Sequence, residues 1–117
     1  MKLSTKSSKD KYEKNSYHLM AIKDDKEIIG CGRVHLNKNK ENQIRFMAVK
    51  ANFQRKGVGS KILVHLEKYI STNKGRVITL NAREGAVNFY LSLGYIKKER
   101  HNSETLIPHI RMVKNLS

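Results

Sequence analysis

Between Ala48 and Ile70 the sequence AVKANFQRKGVGSKILVHLEKYI changes abruptly from polar and basic to apolar at the helical period. From Val58 onward, Ile62, Leu63, Leu66, Tyr69 and Ile70 recur at that period, which predicts a helix ending near Asn73-Lys74-Gly75. A strand that ends in a glycine-rich turn opening onto a helix gathers unpaired backbone N–H groups and the positive end of the helix dipole at one point. Such a place binds phosphate. Gly57 and Gly59 let the backbone approach an anion closely, and Arg55 and Lys56 add charge at the rim. Spacing excludes two other phosphate motifs. The P-loop pattern of Gly-x-x-x-x-Gly-Lys-Ser/Thr is absent, and the dinucleotide fingerprint needs a third glycine where this chain has Ile62. Taken alone, the two glycines fit an ordinary tight turn equally well.

The rest of the chain is organised around that turn. Tyr17 to Lys23 (YHLMAIK) and Ile28 to Leu36 (IIGCGRVHL) are apolar runs joined by Asp24-Asp25-Lys26-Glu27, the pattern of a β-hairpin. Gly30 and Gly32 inside the second run predict a bulge or a close approach by another element. Asn37 to Asn42 (NKNKEN) reads as a turn into a third strand, Gln43 to Val49. Beyond the helix, Arg76 to Leu80 (RVITL) is a short buried-type strand, and Glu84 to Leu93 is a second helix stopped by Gly94. Tyr95 to Arg100 and His109 to Val113 are two last strands, with Pro108 marking entry to the second. With no internal repeat and no linker, residues 1–117 read as a single mixed α/β (α+β) domain. Residues 1–15 are polar and read as irregular or as a short helical remnant.

Composition narrows the functional classes. A chain of 117 residues that is 38% hydrophobic supports one modest core, and no apolar run is long enough to span a membrane. The start MKLSTKSSKDKYEKN lacks the apolar region of a secretory leader, and the lone Cys31 allows no internal disulfide, so the cytoplasm is the expected compartment. A net charge of +14 raises nucleic acid as a partner. Against this, the basic residues are strewn from Lys2 to Lys114 with acids interleaved and no block of like charge, which reads as a solvated surface. A basic nucleic-acid-binding protein therefore stands as a third, competing reading. His18, His35, His65, His101 and His109 lack metal-ligand spacing, so no metal site is expected. Cys31, within an apolar strand, reads as a small buried side chain.

Two segments in register carry a resemblance. Gln-Arg-Lys-Gly-Val-Gly-Ser at 54–60 resembles the Arg/Gln-x-x-Gly-x-Gly/Ala signature of the GNAT superfamily of acyl-CoA N-acyltransferases. Some way on, LNAREGAVNFYLSLGYI (Leu80 to Ile96) resembles that superfamily's second motif, Ala-x-x-Phe-Tyr-x-x-x-Gly-Phe/Tyr. The resemblance covers about Tyr17 to Lys114. More narrowly, IRFMAV and AREGAVNFY look like GNAT domains that in some bacterial proteins precede a thioesterase-like domain. It implies a GNAT-like fold in which the strand Gln43 to Val49 splays from Arg76 to Leu80, leaving a cleft for the pantetheine arm of acetyl-CoA. Met47, Ala48 and Val49 would pair with that arm like an added strand. Gln54, Arg55, Lys56, Gly57, Val58, Gly59 and Ser60 would hold the pyrophosphate. A cofactor contact is also implied for an asparagine at the end of the neighbouring strand. The family's asparagine position, seven before Tyr90, is Arg83 here, and Asn81 lies two residues earlier.

The implied chemistry is direct attack of an amine on a thioester carbonyl in a ternary complex. A backbone N–H of the third strand polarises the carbonyl. Tyr90 matches the family's proton donor, and a phenol of pKa about 10 is still protonated at neutral pH. Its alternative role is a core aromatic beside Phe89. Many relatives place a glutamate on the third strand as base, but QIRFMAV has none. His35 and His109 are the available substitutes, with a water chain as the competing route and an ordinary structural role open to each. The reading is an acetyltransferase acting on a small-molecule or peptide amine. A non-catalytic acyl-CoA-binding or regulatory module of the same fold is the alternative. The superfamily's first strand and first helices have no counterpart before Tyr17 in this reading, which would leave Tyr17 to Lys23 as a sheet edge and invite a homodimer.

Overall fold

The computed structural model describes residues 2–8, 16–24, 27–36, 41–102 and 108–116. In chain order its elements are β1 (Lys2–Ser8), β2 (Ser16–Ile22), β3 (Ile28–Leu36), β4 (Asn42–Val49), α1 (Val58–Thr72), β5 (Val77–Arg83), α2 (Val87–Ser92), β6 (Ile96–Asn102) and β7 (Pro108–Asn115). Single 3₁₀ turns at Ala51–Phe53 and Glu84–Ala86 precede the helices. The strands form one mixed sheet in the order β1-β2-β3-β4-β5-β7-β6. The mixed α/β class expected from the sequence is the one observed.

Both helices lie on the same side of this sheet. A Cβ on Gly30 would sit 2.9 Å from Ile62 Cδ1, and one on Gly32 would sit 2.9 Å from Ile62 Cγ2 and 3.0 Å from Leu66 Cδ1. The two glycines of β3 therefore let α1 press directly onto the strand, the close approach that the sequence predicted. α1 buries Val58, Ile62, Leu63, Leu66 and Ile70 against Leu19, Ala21, Val34 and Ile44 of the first strands and Ile78, Leu80 and Met112 beyond. Each fully buried Leu or Ile of this kind contributes about 2 kcal/mol. The helix stops where Gly75 N–H bonds the Ile70 carbonyl at 2.8 Å. The left-handed residue there is Lys74 (φ +65°), not the glycine. Gly75 is needed for space instead, because a Cβ on it would fall 2.5 Å from both Asn42 Nδ2 and Ile70 Cγ2.

One expectation is corrected. The first strand is present: Lys2–Ser8 pairs antiparallel with β2 along its whole length, from Lys2↔Ile22 to Ser8↔Ser16. KLSTKSS has no apolar alternation to betray it, because a strand added to an edge needs only backbone pairing, and its Ser, Thr and Lys suit an edge position. β2 is consequently an interior strand, and the argument for a dimer through its edge loses its basis. The expected absence of the first helices concerns residues 9–15, and much of the NKNKEN turn falls at residues 37–40; both lie outside the described residues.

Candidate functional site

The site is made by a sheet that comes apart. β4 and β5 run parallel but pair only at Asn42↔Ile78 and Gln43↔Thr79 among the described residues, after which they diverge. The result is a wedge rooted at Gln43 and open between the ends of β4 and β5. A bulge in β4 contributes. Cys31 pairs with Ala48 but Arg33 pairs with Arg45, so Phe46 and Met47 both oppose Gly32, and the extra residue bends the strand locally. Lys50 N–H bonds Ile29 O on β3 at 2.8 Å. Backbone groups of neighbouring residues point to opposite sides of a strand, so the N–H and C=O of Val49 face the wedge.

At the mouth of the wedge stands the start of α1. Gly57 caps it in the left-handed region (φ +82°), Arg55 just before it is also left-handed (φ +61°), and no acid occupies the first turn. The first intrahelical bond runs from Lys61 N–H to Gly57 O at 3.1 Å, so the N–H groups of Val58, Gly59 and Ser60 precede the helical ladder. Phe53 organises the cations around this turn: Lys23 and Lys56 lie 5.4 and 5.9 Å from its ring centre. The geometry is that of an anion cradle beside a strand edge.

The Acetyltransferase (GNAT) domain family model matches residues 2–116, essentially the whole described chain. The chain belongs to the GNAT acetyltransferase family. It is 30% identical over 107 residues to the uncharacterized N-acetyltransferase YjcF of Bacillus subtilis (strain 168), covering 91% of this chain and 75% of that protein. Among solved structures, it matches a Klebsiella pneumoniae subsp. pneumoniae MGH 78578 protein assigned as an acyl-CoA N-acyltransferase with a TM-score of 0.80, at 15% identity over 99% of this chain and 97% of that one. An aminoglycoside 6'-N-acetyltransferase complexed with coenzyme A matches with a TM-score of 0.77, at 17% identity over 86% and 73% of the two chains.

Within this GNAT domain the predicted residues fall into two groups. Met47, Ala48 and Val49 line β4 at the wedge, and residues 54–60 form the turn at its mouth. Gln54 has a more specific place than expected: its Nε2 donates to Val49 O at 2.9 Å, tying the turn to the last residue of β4. Asn81 and Arg83 are exposed on the far part of β5, beyond the last β4–β5 pair. The histidines are separated. His35 is level with Gln43 at the root of the wedge, whereas His109 is level with Arg83 at its open end. Burial, then Arg33 and Arg45, lower the His35 pKa below 6.5 and hold the ring neutral at neutral pH.

Tyr90 is buried on α2, edge-on to Phe89 (ring centres 5.1 Å apart) and Tyr95 (5.7 Å). Burial raises its pKa, so the phenol keeps its proton. Its hydroxyl makes no hydrogen bond to any described residue. The short helix is clamped from behind, with Lys114 Nζ donating to Leu93 O at 2.8 Å and reaching Glu67 Oε2 at 3.2 Å. Tyr95 O–H donates to the same Oε2 at 2.9 Å. Sequence reasoning missed Phe89 as part of the site. Its Cζ lies 3.4 Å from where a Gly59 Cβ would be, with Val49 Cγ2 at 3.7 Å, so α2, the turn and β4 meet at one point. The only local sign was Phe89's place in the second motif.

Proposed function

We propose that this chain transfers an acetyl group from acetyl-CoA to a primary amine. The observation that carries the reading is the parallel β4–β5 pair that separates after Gln43↔Thr79 and opens directly beneath the start of α1. A cradle of backbone N–H groups with no acid in its first turn suits a pyrophosphate, and a strand edge with Val49 facing outward suits an amide-bearing arm. Gln54 must yield the Val49 carbonyl to such an arm or share it.

The thioester supplies an activated acyl carbon with a leaving sulfur. As the amine nitrogen forms the C–N bond, the C–S bond breaks, the sulfur leaves with the bonding pair and takes up a proton, and the proton lost from nitrogen passes to water. A backbone N–H of β4 near the bulge polarises the carbonyl oxygen. Tyr90, protonated and free of competing acceptors among the described residues, donates its own proton to the departing sulfur and regains one from solvent. His109, at the open end, is better placed than His35 to relay the amine's proton. Isothermal titration with acetyl-CoA, followed by thiol release with a panel of amines, tests the reading. Saturable binding and amine-dependent release are expected. No binding refutes it, and binding without turnover on any amine favours the acyl-CoA-binding module, the reading that the lack of a carboxylate in NQIRFMAV supports.

A further inference from the structure

The proton donor sits on a helix too short to hold itself in place. α2 has six residues, fewer than two turns, with no side-chain cap at its start and no basic residue in its last turn. Its position is set from outside, at two points on α1. At the first, the ring of Phe89 lies against the opening turn of α1, 3.4 Å from where a Gly59 Cβ would be. At the second, the chain leaves α2 through Gly94 in the left-handed region (φ +94°), and the carbonyl of Tyr90 accepts the N–H groups of both Leu93 (3.0 Å) and Tyr95 (3.1 Å). Tyr95 then sets its ring edge-on to Tyr90 and donates its O–H to Glu67 Oε2, on α1, at 2.9 Å.

Glu67 has a second partner. Lys114 Nζ of β7 lies 3.3 and 3.2 Å from its two oxygens and donates to Leu93 O at 2.8 Å, crossing Gly94, where a Cβ would stand 3.4 Å from Lys114 Cε. A remote lysine thus meets the end of α2, which has no cation of its own to do so. The Glu67 and Lys114 side chains are 14% and 25% exposed. Shielding such a pair costs desolvation that its attraction offsets only in part, and apolar residues of similar size would pack as well, so stability alone does not call for it. A fixed geometry does call for it. Tyr90 and Tyr95 are both buried, yet among the described residues only Tyr95 has an acceptor for its hydroxyl. Burial, with the Glu67 carboxylate after it, raises the Tyr95 pKa and keeps that phenol a donor. One tyrosine is anchored and its neighbour is left available.

We infer that Glu67 is a positioning residue for the acid: through Tyr95 and Lys114 it fixes the height and rotation of α2, and so the distance from the Tyr90 hydroxyl to the cradle. The inference rests on the acetyl-transfer reading with Tyr90 as donor. α1 is the common ruler, since it carries both the cradle and Glu67, and the stretch from Gly59 to Glu67 is about 12 Å of helix. The arm of an acyl-CoA has a fixed length, so a donor for its sulfur is best set from the element that holds its pyrophosphate.

The test compares Tyr95→Phe, Glu67→Gln and Lys114→Met with the wild type, each also made in the Tyr90→Phe background. Acetyl-CoA affinity is measured by calorimetry, and turnover by thiol release with spermidine, an aminoglycoside and a lysine-containing peptide, the fastest of which serves as acceptor. Each single change should lower kcat about tenfold while acetyl-CoA affinity and KM stay within about twofold of wild type, and should have no further effect once Tyr90 is replaced. Chemical denaturation establishes that each variant is folded at the assay temperature. Tyr95→Phe removes a single oxygen and keeps the ring, so it decides the matter if the charge changes unfold the chain. Unchanged kcat in folded Tyr95→Phe overturns the inference. So does a loss of equal size in the Tyr90→Phe background, or a matching loss of acetyl-CoA affinity. Wild-type turnover by Tyr90→Phe alone removes the donor, and this inference with it, while leaving acetyl transfer in place. Absence of acetyl-CoA binding, or of turnover on any amine, overturns the acetyl-transfer reading itself.

Discussion

At the scale of single residues, Tyr90 separates packing from chemistry unusually well. Its ring is held edge-on between Phe89 and Tyr95, so Tyr90→Phe keeps those contacts and deletes only the oxygen. The variant should bind acetyl-CoA as the wild type does and lose about a hundredfold in kcat, measured by thiol release. Wild-type turnover would return Tyr90 to the core. His35 gives a prediction in stability. Its folded pKa lies below the ordinary 6.5, so the unfolded chain binds the extra proton first. The contribution to stability is present above 6.5 and is lost as pH falls through the folded value. Denaturant titrations from pH 7.5 down should show wild-type stability falling through that window, and His35→Gln should flatten the fall.

At the scale of elements, the turn before α1 was the most legible feature, and the wedge beside it the least. Glycines at 57 and 59 and the apolar period after Val58 are local facts, so α1 and the turn that opens it could be read from the chain. Gly30 and Gly32 likewise announced a close neighbour, though not that it would be Ile62 and Leu66. The divergence of β4 from β5, the Phe46–Met47 bulge and the Gln54 tie are properties of register between distant segments, and no local pattern encodes register. β1 escaped for a different reason, since a polar strand pairs through its backbone alone. The cradle yields its own test. A Cβ at Gly59 meets Phe89 at 3.4 Å, a contact that alanine can make with little adjustment, whereas aspartate adds bulk and a like charge where the proposed pyrophosphate would sit. Gly59→Asp should abolish acetyl-CoA binding by calorimetry, and Lys56→Ala, a rim charge, should weaken it only a few-fold. Unchanged affinity in Gly59→Asp would remove the cradle from the site.

At the scale of the whole molecule, the sheet has two outer edges, and they are guarded differently. β6 carries IKKERHN, charged along its length, and β1 shields β2, whose inward residues Leu19 and Ala21 belong to the core. Neighbouring residues of a strand point their N–H groups to opposite sides, so of Ser4→Pro and Thr5→Pro one should remove a bond to β2 and the other should be nearly silent. The disruptive member should lose roughly 1–3 kcal/mol in chemical denaturation and shift sedimentation toward self-association, as the β2 edge comes free. Two silent prolines would contradict the pairing of β1. The wedge adds a third opening, bordered by two strand edges inside the molecule, and any extended chain can dock into such a slot, including a segment of another copy that has come loose. Gln54 already occupies the Val49 carbonyl there, and Lys23 and Lys56 crowd the entrance around Phe53. A second copy would arrive with a net charge of +14 against these cations, whereas a pyrophosphate would be drawn in. The charge that first suggested nucleic acid thus acts as insulation, keeping a sticky slot closed to the protein's own kind while leaving it open to anions.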